Sequence, residues 1–231
     1  KLQRILGDVR EYIQVRQAAN DADIIFHLAA EISITYSYKN PEEVVKTNVL
    51  GTLNVMIAAR DAGVGRVIQT SSSEVYGTAQ STSMPERHPF RAQSPYAASK
   101  IAADRIAESF KISYGVNTTI LRPFNTFGPR QSCRAIVPAI IRQLMRGPNV
   151  LLGNPNSTRD FTFVDDTIRA FILAATVEMC KGMEINIGTG TEISLANLAH
   201  EIAHIMKVKP EIALDHQKAR PSPLEVERLR A

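Results

Sequence analysis

Short runs of apolar residues alternate along this chain with longer segments in which apolar residues recur at a helical period. The short runs, bounded by turn-forming residues, are typical of buried strands, and the longer segments are typical of amphipathic helices. The predicted strands are 23–28, 66–70, 118–122, 150–152 and 184–187. The predicted helices are 41–63, 95–114, 136–146, 164–176 and 195–206. This alternation predicts an α/β fold, a doubly wound parallel sheet with helices on both faces.

Proline and glycine concentrate between residues 123 and 155, where the alternation is interrupted. We therefore expect a second, smaller lobe that is interleaved with the sheet domain. The sheet domain is predicted to comprise 1–130 and 162–188, and the smaller lobe 131–161 and 189–231. The chain opens at Lys1 without an initiator methionine and closes in a charged stretch, so we expect a fragment of a longer protein.

The composition excludes several classes of protein. The 231 residues include 27 Lys and Arg against 23 Asp and Glu, a net charge of +4, and 44% are hydrophobic, which excludes disorder, collagen and coiled coil as the whole structure. The positive charges are scattered, which favours a small anionic ligand over nucleic acid. No stretch has the roughly 18 apolar residues that a membrane helix needs. Cys133 and Cys180 match no metal spacing and are expected to be buried thiols of a reducing compartment, so we predict a cytoplasmic protein.

The residues that follow three predicted strands are unusually rich in small, polar and glycine residues. In open parallel sheets ligands bind beyond the carboxyl ends of the strands, so the functional site is expected there. These segments are 27–30, 70–74 and 122–128.

Tyr96 and Lys100 are four residues apart in the predicted helix 95–114 and therefore share one helix face. An ammonium group near a phenol stabilises the phenolate and should lower the pKa of Tyr96. A tyrosine tuned in this way can act as a general base toward an alcohol. Alone, such a pair is most often a surface contact. Here it follows the serine cluster at a strand end, which favours a catalytic pair.

Further motifs follow one another along nearly the whole chain. In order they are Gly7-Asp8-Val9-Arg10, His27-Leu28-Ala29-Ala30, Asn48 to Thr52, Thr70 to Gly77, Tyr96-x-x-x-Lys100, Arg122 to Asn125 with Gly128-Pro129-Arg130, Arg159 to Asp166, and Asn186 to Thr189. Each is short, but together they resemble the extended short-chain dehydrogenase/reductases, the NAD-dependent epimerases and dehydratases of nucleotide sugars. The resemblance is closest to bacterial 4,6-dehydratases of the UDP-N-acetylglucosamine type, and it implies a Rossmann-like fold.

The family's glycine-rich loop, which holds the cofactor pyrophosphate on a helix N-terminus, is absent from this sequence. It should precede Gly7-Asp8. The resemblance therefore implies that 1–130 is a dinucleotide-binding domain lacking its N-terminal part, that 131–161 with 189–231 is a nucleotide-sugar-binding lobe, and that the chain as given is inactive.

The resemblance implies NAD as the cofactor, because the family's reaction cycle is redox-neutral. Asp8 would accept a hydrogen bond from the adenine, and the small Ala29 and Ala30 would line the ribose and phosphates. Lys100 would hold the nicotinamide ribose hydroxyls, supported through water by Asn48. The expected cofactor-binding residues are Asp8, Ala29, Ala30, Asn48, Ser71, Tyr96, Lys100 and Pro123.

The implied partner is a nucleoside-diphosphate sugar, with no membrane or nucleic acid. Its diphosphate would contact Asn125 and Arg159, with Arg220 as a further candidate, since a guanidinium fork matches phosphate oxygens. Family members dimerise, so we expect a homodimer through the helices at about 41–62 and 95–114.

In the implied reaction, Tyr96 takes the proton of the sugar C4 hydroxyl while C4 passes a hydride to NAD. Glu74 would then remove the acidified C5 proton, water would leave from C6, and the hydride would return to C6. Ser72 would hydrogen-bond the C4 oxygen. Ser73 stands where dTDP-glucose dehydratases usually carry Asp, so Glu74 is expected to serve as both base and acid.

Two other reactions of the family stay open, UDP-sugar 4-epimerisation and UDP-glucuronate decarboxylation, and the latter would use the same Ser73–Glu74 pair. A non-catalytic NAD-binding module is disfavoured, because Tyr96 and Lys100 are both present. No metal site is predicted: His200 and His204 lie four residues apart on a helix without a third ligand.

Overall fold

The computed structural model describes residues 2–215 and 226–231. The strands are β1 (Ile24–His27), β2 (Arg66–Thr70), β3 (Thr118–Pro123), β4 (Asn125–Phe127), β5 (Asn149–Leu152), β6 (Thr158–Phe163), β7 (Glu184–Ile187), β8 (Glu192–Ser194), β9 (Glu211–Leu214) and β10 (Arg228–Leu229). The helices are α1 (Tyr12–Ala18), α2 (Ile34–Lys39), α3 (Pro41–Val45), α4 (Gly51–Ala62), α5 (Pro95–Tyr114), α6 (Ile136–Leu144), α7 (Val164–Thr176) and α8 (Leu195–Met206). Lys46–Leu50 form a π-helical turn between α3 and α4, and Ser73–Tyr76 form a 3-10 turn.

The central sheet has the strand order β1-β2-β3-β7, and all of its pairings are parallel. Successive side chains of a strand point to opposite faces. Val67 and Ile120 pack against α4 and α5 on one face, whereas Ile68 and Leu121 pack against α7 on the other. Helices therefore cover both faces, and the predicted doubly wound α/β fold is confirmed.

Smaller sheets lie outside the central one. Strands β10, β6 and β4 pair in that order, with β8 antiparallel to β6, and β5 pairs with β9 in parallel. Helices α6 and α8 pack on β5 around a separate apolar core that includes Ile140, Val150 and Ala199. Much of this structure falls within the two segments assigned to the smaller lobe, and the lobe's boundaries stay a prediction.

The structure adds elements to those expected from the sequence and corrects one expectation. The predicted helix 41–63 ends at Ala62 and contains the π-helical turn, and α1, α2 and the strands β4, β6, β8, β9 and β10 were not predicted. Cys133 is exposed and Cys180 is half-buried, so the expectation of buried thiols is wrong. Among the described residues no helix is both long and apolar enough to span a membrane.

Candidate active site

The carboxyl ends of the central strands lie at one edge of the sheet. His27 is in register with Gln69, and Thr70 is in register with Leu121. The segments that follow β1, β2 and β3 therefore meet at this edge, where ligands bind in parallel sheets.

Helix α5 brings Tyr96 and Lys100 to this edge. The helix begins where the hydroxyl of Ser94 accepts a hydrogen bond from the backbone N–H of Ala97 at 3.0 Å. Both Tyr96 and Lys100 are buried, and the Lys100 ammonium donates to the carbonyl oxygen of Thr70 at 3.0 Å. The pair thus lies against the carboxyl end of β2.

The surroundings of Tyr96 raise the pKa of its phenol. Burial raises that pKa to about 12, the charges of Glu74 and Asp104 act in the same direction, and a hydrogen bond with Ser72 opposes them. Burial also lowers the pKa of Lys100 to about 8, and the charge of Asp104 opposes this shift. The lowered Tyr96 pKa expected from the sequence is not found in this structure, because desolvation of the phenolate is the largest influence on it.

The 3-10 turn Ser73–Tyr76 carries the expected carboxylate. Ser72 caps this turn, since its hydroxyl accepts from the backbone N–H of Glu74 at 3.2 Å. Ser72 and Glu74 are half-buried, whereas Ser73 is almost fully buried. A hydrogen bond with Ser72 and the charge of Glu74 both act on the pKa of Tyr96, so the turn brings Ser72 to the phenol and Glu74 within electrostatic range of it.

Asn48 joins the segment after β1 to helix α5. Its amide nitrogen donates to the carbonyl of Glu31 at 3.0 Å and to the hydroxyl of Ser99 at 2.9 Å. Its amide oxygen accepts from the backbone N–H of Glu31 at 2.8 Å. These bonds fix the backbone directly after Ala30. Support of Lys100 through water stays a prediction.

The other expected cofactor residues differ in their surroundings. Ala29 is exposed and Ala30 half-buried after β1, and Pro123 ends β3. The Asp8 carboxylate accepts from Arg10 Nη2 at 2.6 Å and from the Arg10 backbone N–H at 2.9 Å, which lowers its pKa. An adenine donor would therefore share this carboxylate with Arg10.

Polar groups at the end of β2 fit a dinucleotide. The Lys100 ammonium carries three N–H donors, and in the described part of the chain its acceptor is the carbonyl oxygen of Thr70. The hydroxyl of Thr70 is buried and has no partner among the described residues. Donors and a hydroxyl in this position suit the hydroxyl groups of a ribose, so the residues present fit NAD.

A buried polar network behind Lys100 was not found by sequence reasoning. Asp104 Oδ2 accepts from the hydroxyl of Ser71 at 2.9 Å and from Arg122 Nε and Nη2 at 3.1 and 3.0 Å. Asp104 and Arg122 are both fully buried, and Arg122 Nη1 donates to the hydroxyl of Tyr76 at 3.0 Å. The one sequence signal for Asp104 was its position four residues after Lys100, which places both on the same helix face.

Two of the residues expected at the diphosphate lie on neighbouring strands. Asn125 on β4 is in register with Phe161 on β6, two residues beyond Arg159. Arg159 is buried, and its Nη1 donates to the carbonyl of Thr158 at 2.8 Å. The third residue, Arg220, lies outside the described residues.

A surface hollow of about 580 Å³ lies beside α8. His200, Glu201 and His204 line it, and together they form a His-Glu-x-x-His sequence, the helical pattern of zinc peptidases. Within residues 2–215 and 226–231, no three His, Cys, Asp or Glu side chains come together as a metal site. The sequence pattern is therefore present without a third ligand in that part of the chain.

Comparison with known proteins identifies similar enzymes. A family model described as GDP-mannose 4,6 dehydratase matches residues 1–231. A dTDP-glucose 4,6-dehydratase of Streptomyces antibioticus is 35% identical over 195 residues, and a UDP-glucose 4-epimerase of Mycolicibacterium smegmatis is 37% identical over 186 residues. The matches cover 84% and 78% of this chain but 58% and 59% of the relatives, so the chain spans less than two thirds of their length.

Solved structures of similar fold bind nucleotides. DesIV, a dTDP-glucose 4,6-dehydratase of Streptomyces venezuelae with NAD and TYD bound, has a TM-score of 0.86 at 29% identity, covering 97% of this chain and 69% of that one. MoeE5 in complex with UDP-glucuronic acid and NAD has a TM-score of 0.91 at 33% identity, covering 100% and 76%. A UDP-N-acetylglucosamine 4-epimerase of Methanobrevibacter ruminantium has a TM-score of 0.89 at 29% identity, covering 98% and 73%.

Proposed function

We propose that the whole protein is an enzyme that converts a nucleoside-diphosphate sugar with the help of NAD. The basis is that this chain belongs to the GDP-mannose 4,6-dehydratase family. NAD is supported by the solved relatives that contain it and by the free donors of Lys100 beside the buried hydroxyl of Thr70. We place the enzyme in the cytoplasm, since Cys133 and Cys180 are unpaired thiols.

When bound, NAD would accept and later return a hydride. Tyr96 would take the proton of the C4 hydroxyl as general base in its phenolate form, which the positive charge of a bound nicotinamide would favour against the burial that raises its pKa to about 12. The hydroxyl of Ser72 would hydrogen-bond the C4 oxygen. Lys100 would hold the ribose, with Asp8, Ala29, Ala30, Asn48, Ser71 and Pro123 completing the cofactor site. Asn125, Arg159 and Arg220 would bind the diphosphate of the substrate.

Within the family we propose a 4,6-dehydratase, and this proposal is carried by the Glu74 carboxylate on the turn after β2, close enough for its charge to raise the pKa of Tyr96. A ketone at C4 acidifies the C5 proton, which a carboxylate can then remove. The C6 hydroxyl would leave as water with that proton, the hydride would return to C6, and a solvent proton would restore C5. The buried Ser73 is a poor acid, so Glu74 would carry the proton in both directions.

The proposed substrate is UDP-N-acetylglucosamine or another nucleoside-diphosphate hexose. A UDP-sugar 4-epimerase is the second candidate, because the Mycolicibacterium smegmatis relative carries that name at an identity similar to that of the dehydratase. An epimerase would return the hydride to C4 and would leave the C5 proton in place.

Mass spectrometry of the product tests the choice between dehydratase and epimerase. The intact protein would be incubated with NAD and, separately, with UDP-N-acetylglucosamine, dTDP-glucose, GDP-mannose, UDP-glucose and UDP-glucuronate. We expect loss of one water and a new 4-keto sugar from one of them. A product of unchanged mass with inverted C4 would mean that the enzyme is an epimerase. Loss of carbon dioxide from UDP-glucuronate would mean a decarboxylase. No turnover of any of these sugars would contradict the proposed function.

A further inference from the structure

Asp104 continues the row of active-site side chains along helix α5. Tyr96, Lys100 and Asp104 are spaced four residues apart and are all buried, so they follow one face of the helix. Within the described residues, Oδ1 of Asp104 has no hydrogen-bond partner. An unpartnered carboxylate oxygen in a desolvated interior acts strongly on charges nearby.

Ser71 links Asp104 to the acceptor of Lys100. The Ser71 backbone N–H donates to the carbonyl of Leu121 at 2.7 Å, and its hydroxyl donates to Asp104 at 2.9 Å. The residue before it, Thr70, supplies the carbonyl that accepts from Lys100 at 3.0 Å. Asp104 thus anchors the backbone to which the ammonium is bound.

We propose that Asp104 is a positioning residue whose carboxylate, held by Ser71 and Arg122, keeps the Lys100 ammonium charged and aligned at the end of β2. Its importance for catalysis rests on the proposed function. Burial raises the pKa of Asp104, and the charge of Arg122, the hydrogen bonds from Ser71 and Arg122 and the charge of Lys100 oppose that shift. Arg122 cannot lose its proton in a protein, and its double contact with Oδ2 favours the ionised form of Asp104.

The other titratable groups nearby do not supply this negative charge. His27 on β1 is held neutral, because burial, with a smaller contribution from the charge of Lys100, lowers its pKa to about 4. The phenol of Tyr96 keeps its proton, since its pKa is about 12. The carboxylate of Glu184 on β7 contacts Arg122 at 2.7 Å. Among the described residues, Asp104 is the anion that favours a charged Lys100.

The test is an NMR titration of the intact protein with 13Cε-labelled lysine, in which Lys100→Arg assigns the Lys100 signal. We expect the pKa of Lys100 to fall by about one unit in Asp104→Asn. Glu184→Gln is the matched control, because it removes the other carboxylate that contacts Arg122, and it should leave that pKa within about 0.2 unit. The alkaline limb of kcat/KM should move to lower pH by the same amount in Asp104→Asn alone, and Asp104→Glu should restore it.

An unchanged Lys100 pKa in Asp104→Asn, or an equal fall in Glu184→Gln, would overturn the proposal. If Asp104→Asn does not fold because Arg122 is left unpaired, Asp104→Asn with Arg122→Gln removes both charges. Its Lys100 pKa should also fall, by less than in Asp104→Asn because the opposing positive charge of Arg122 is removed as well, and an unchanged or raised value would overturn the proposal too. Failure of the proposed function can be distinguished from failure of this proposal. In that case the protein would turn over no sugar, but the Lys100 pKa would still fall in Asp104→Asn.

Discussion

At the scale of single residues, His27 shows how burial sets the charge of a group at the sheet edge. The Thr52 hydroxyl donates to the carbonyl of Asn48 at 2.7 Å, so it accepts from the Nε2–H of His27 at 3.1 Å. Burial, assisted by the charge of Lys100, lowers the His27 pKa to about 4. The fold therefore requires the neutral imidazole.

We predict that His27 makes the protein sensitive to acid. The unfolded chain binds a proton at this residue near pH 6.5 and the folded chain only near pH 4, so the free energy of unfolding falls as pH drops through that window, by about 3 kcal/mol at most. His27→Gln should flatten this part of the profile in urea unfolding between about pH 4 and 7. The exposed His204→Gln should keep the wild-type slope, and an unchanged slope in His27→Gln would contradict the prediction.

The sequence predicted where Tyr96 and Lys100 lie but not the direction in which the pKa of Tyr96 is shifted. The spacing of Tyr96 and Lys100 is local, so the pair could be placed on one helix before the fold was known. The pKa of Tyr96 depends on how much of the chain packs around the phenol, which no local pattern reports. Asp104 was missed for a related reason, since its partner Arg122 comes from a distant strand.

At the scale of elements, the turn Ser73–Tyr76 depends on the glycine that follows it. Gly77 has a φ of 65° and a ψ of −154°, and a Cβ there would lie 2.8 Å from the carbonyl oxygen of Arg91 and 2.5 Å from Oε1 of Gln93. Gly63, at the end of α4, also has a positive φ of 67°, but a Cβ there would meet open space.

We predict that Gly77→Ala damages both stability and activity. Gly63→Ala should cost about 1 kcal/mol from backbone strain alone, whereas Gly77→Ala adds a clash with backbone and should cost at least about 2 kcal/mol. Because the turn carries Glu74, kcat should fall by at least about tenfold in Gly77→Ala only. Denaturant unfolding and steady-state kinetics of the two variants check this, and equal effects would refute it.

Helices were predicted more completely than strands. Capping residues lie at both ends of α5: Ser94 precedes the helix, and Gly115 ends it at a φ of 69°. Strand β6 was missed because it lacks an apolar run. It includes the charged residues Arg159 and Asp160, which are buried only because the chain around them has folded. Such strands become recognisable only once their neighbours are known.

At the scale of the whole molecule, the helical segments 41–62 and 95–114 leave apolar side chains exposed. Apolar patches on a surface often mark contacts between subunits, so we propose that these segments form a homodimer interface. The exposed apolar residues are Val45, Leu50, Ile112 and Tyr114.

We predict that Leu50→Glu converts a dimer of the intact protein to a monomer, because it buries a charge in that interface. Ile205→Glu is the control, since Ile205 is exposed on α8, outside both segments. Light scattering after size-exclusion chromatography measures the mass of each variant. A monomeric wild type, or a dimer that survives Leu50→Glu, would rule out this interface.

The order of the motifs predicted the family, and the family model matches the whole chain. Sequence similarity does not separate dehydratase from epimerase, because relatives of both kinds are about equally similar. The two proposed reactions share the oxidation at C4 and diverge at the C5 proton. The choice therefore depends on what Glu74 does.

The most direct measurement is deuterium incorporation at C5. Intact wild type and Glu74→Gln would be incubated in D2O with NAD and the sugar nucleotide that loses water in the mass assay. We predict that the wild-type product carries deuterium at C5, whereas Glu74→Gln forms it at least about 100-fold more slowly but still oxidises C4, seen as absorbance of reduced cofactor at about 340 nm. C5-deuterated product formed by Glu74→Gln at the wild-type rate would contradict the role of Glu74.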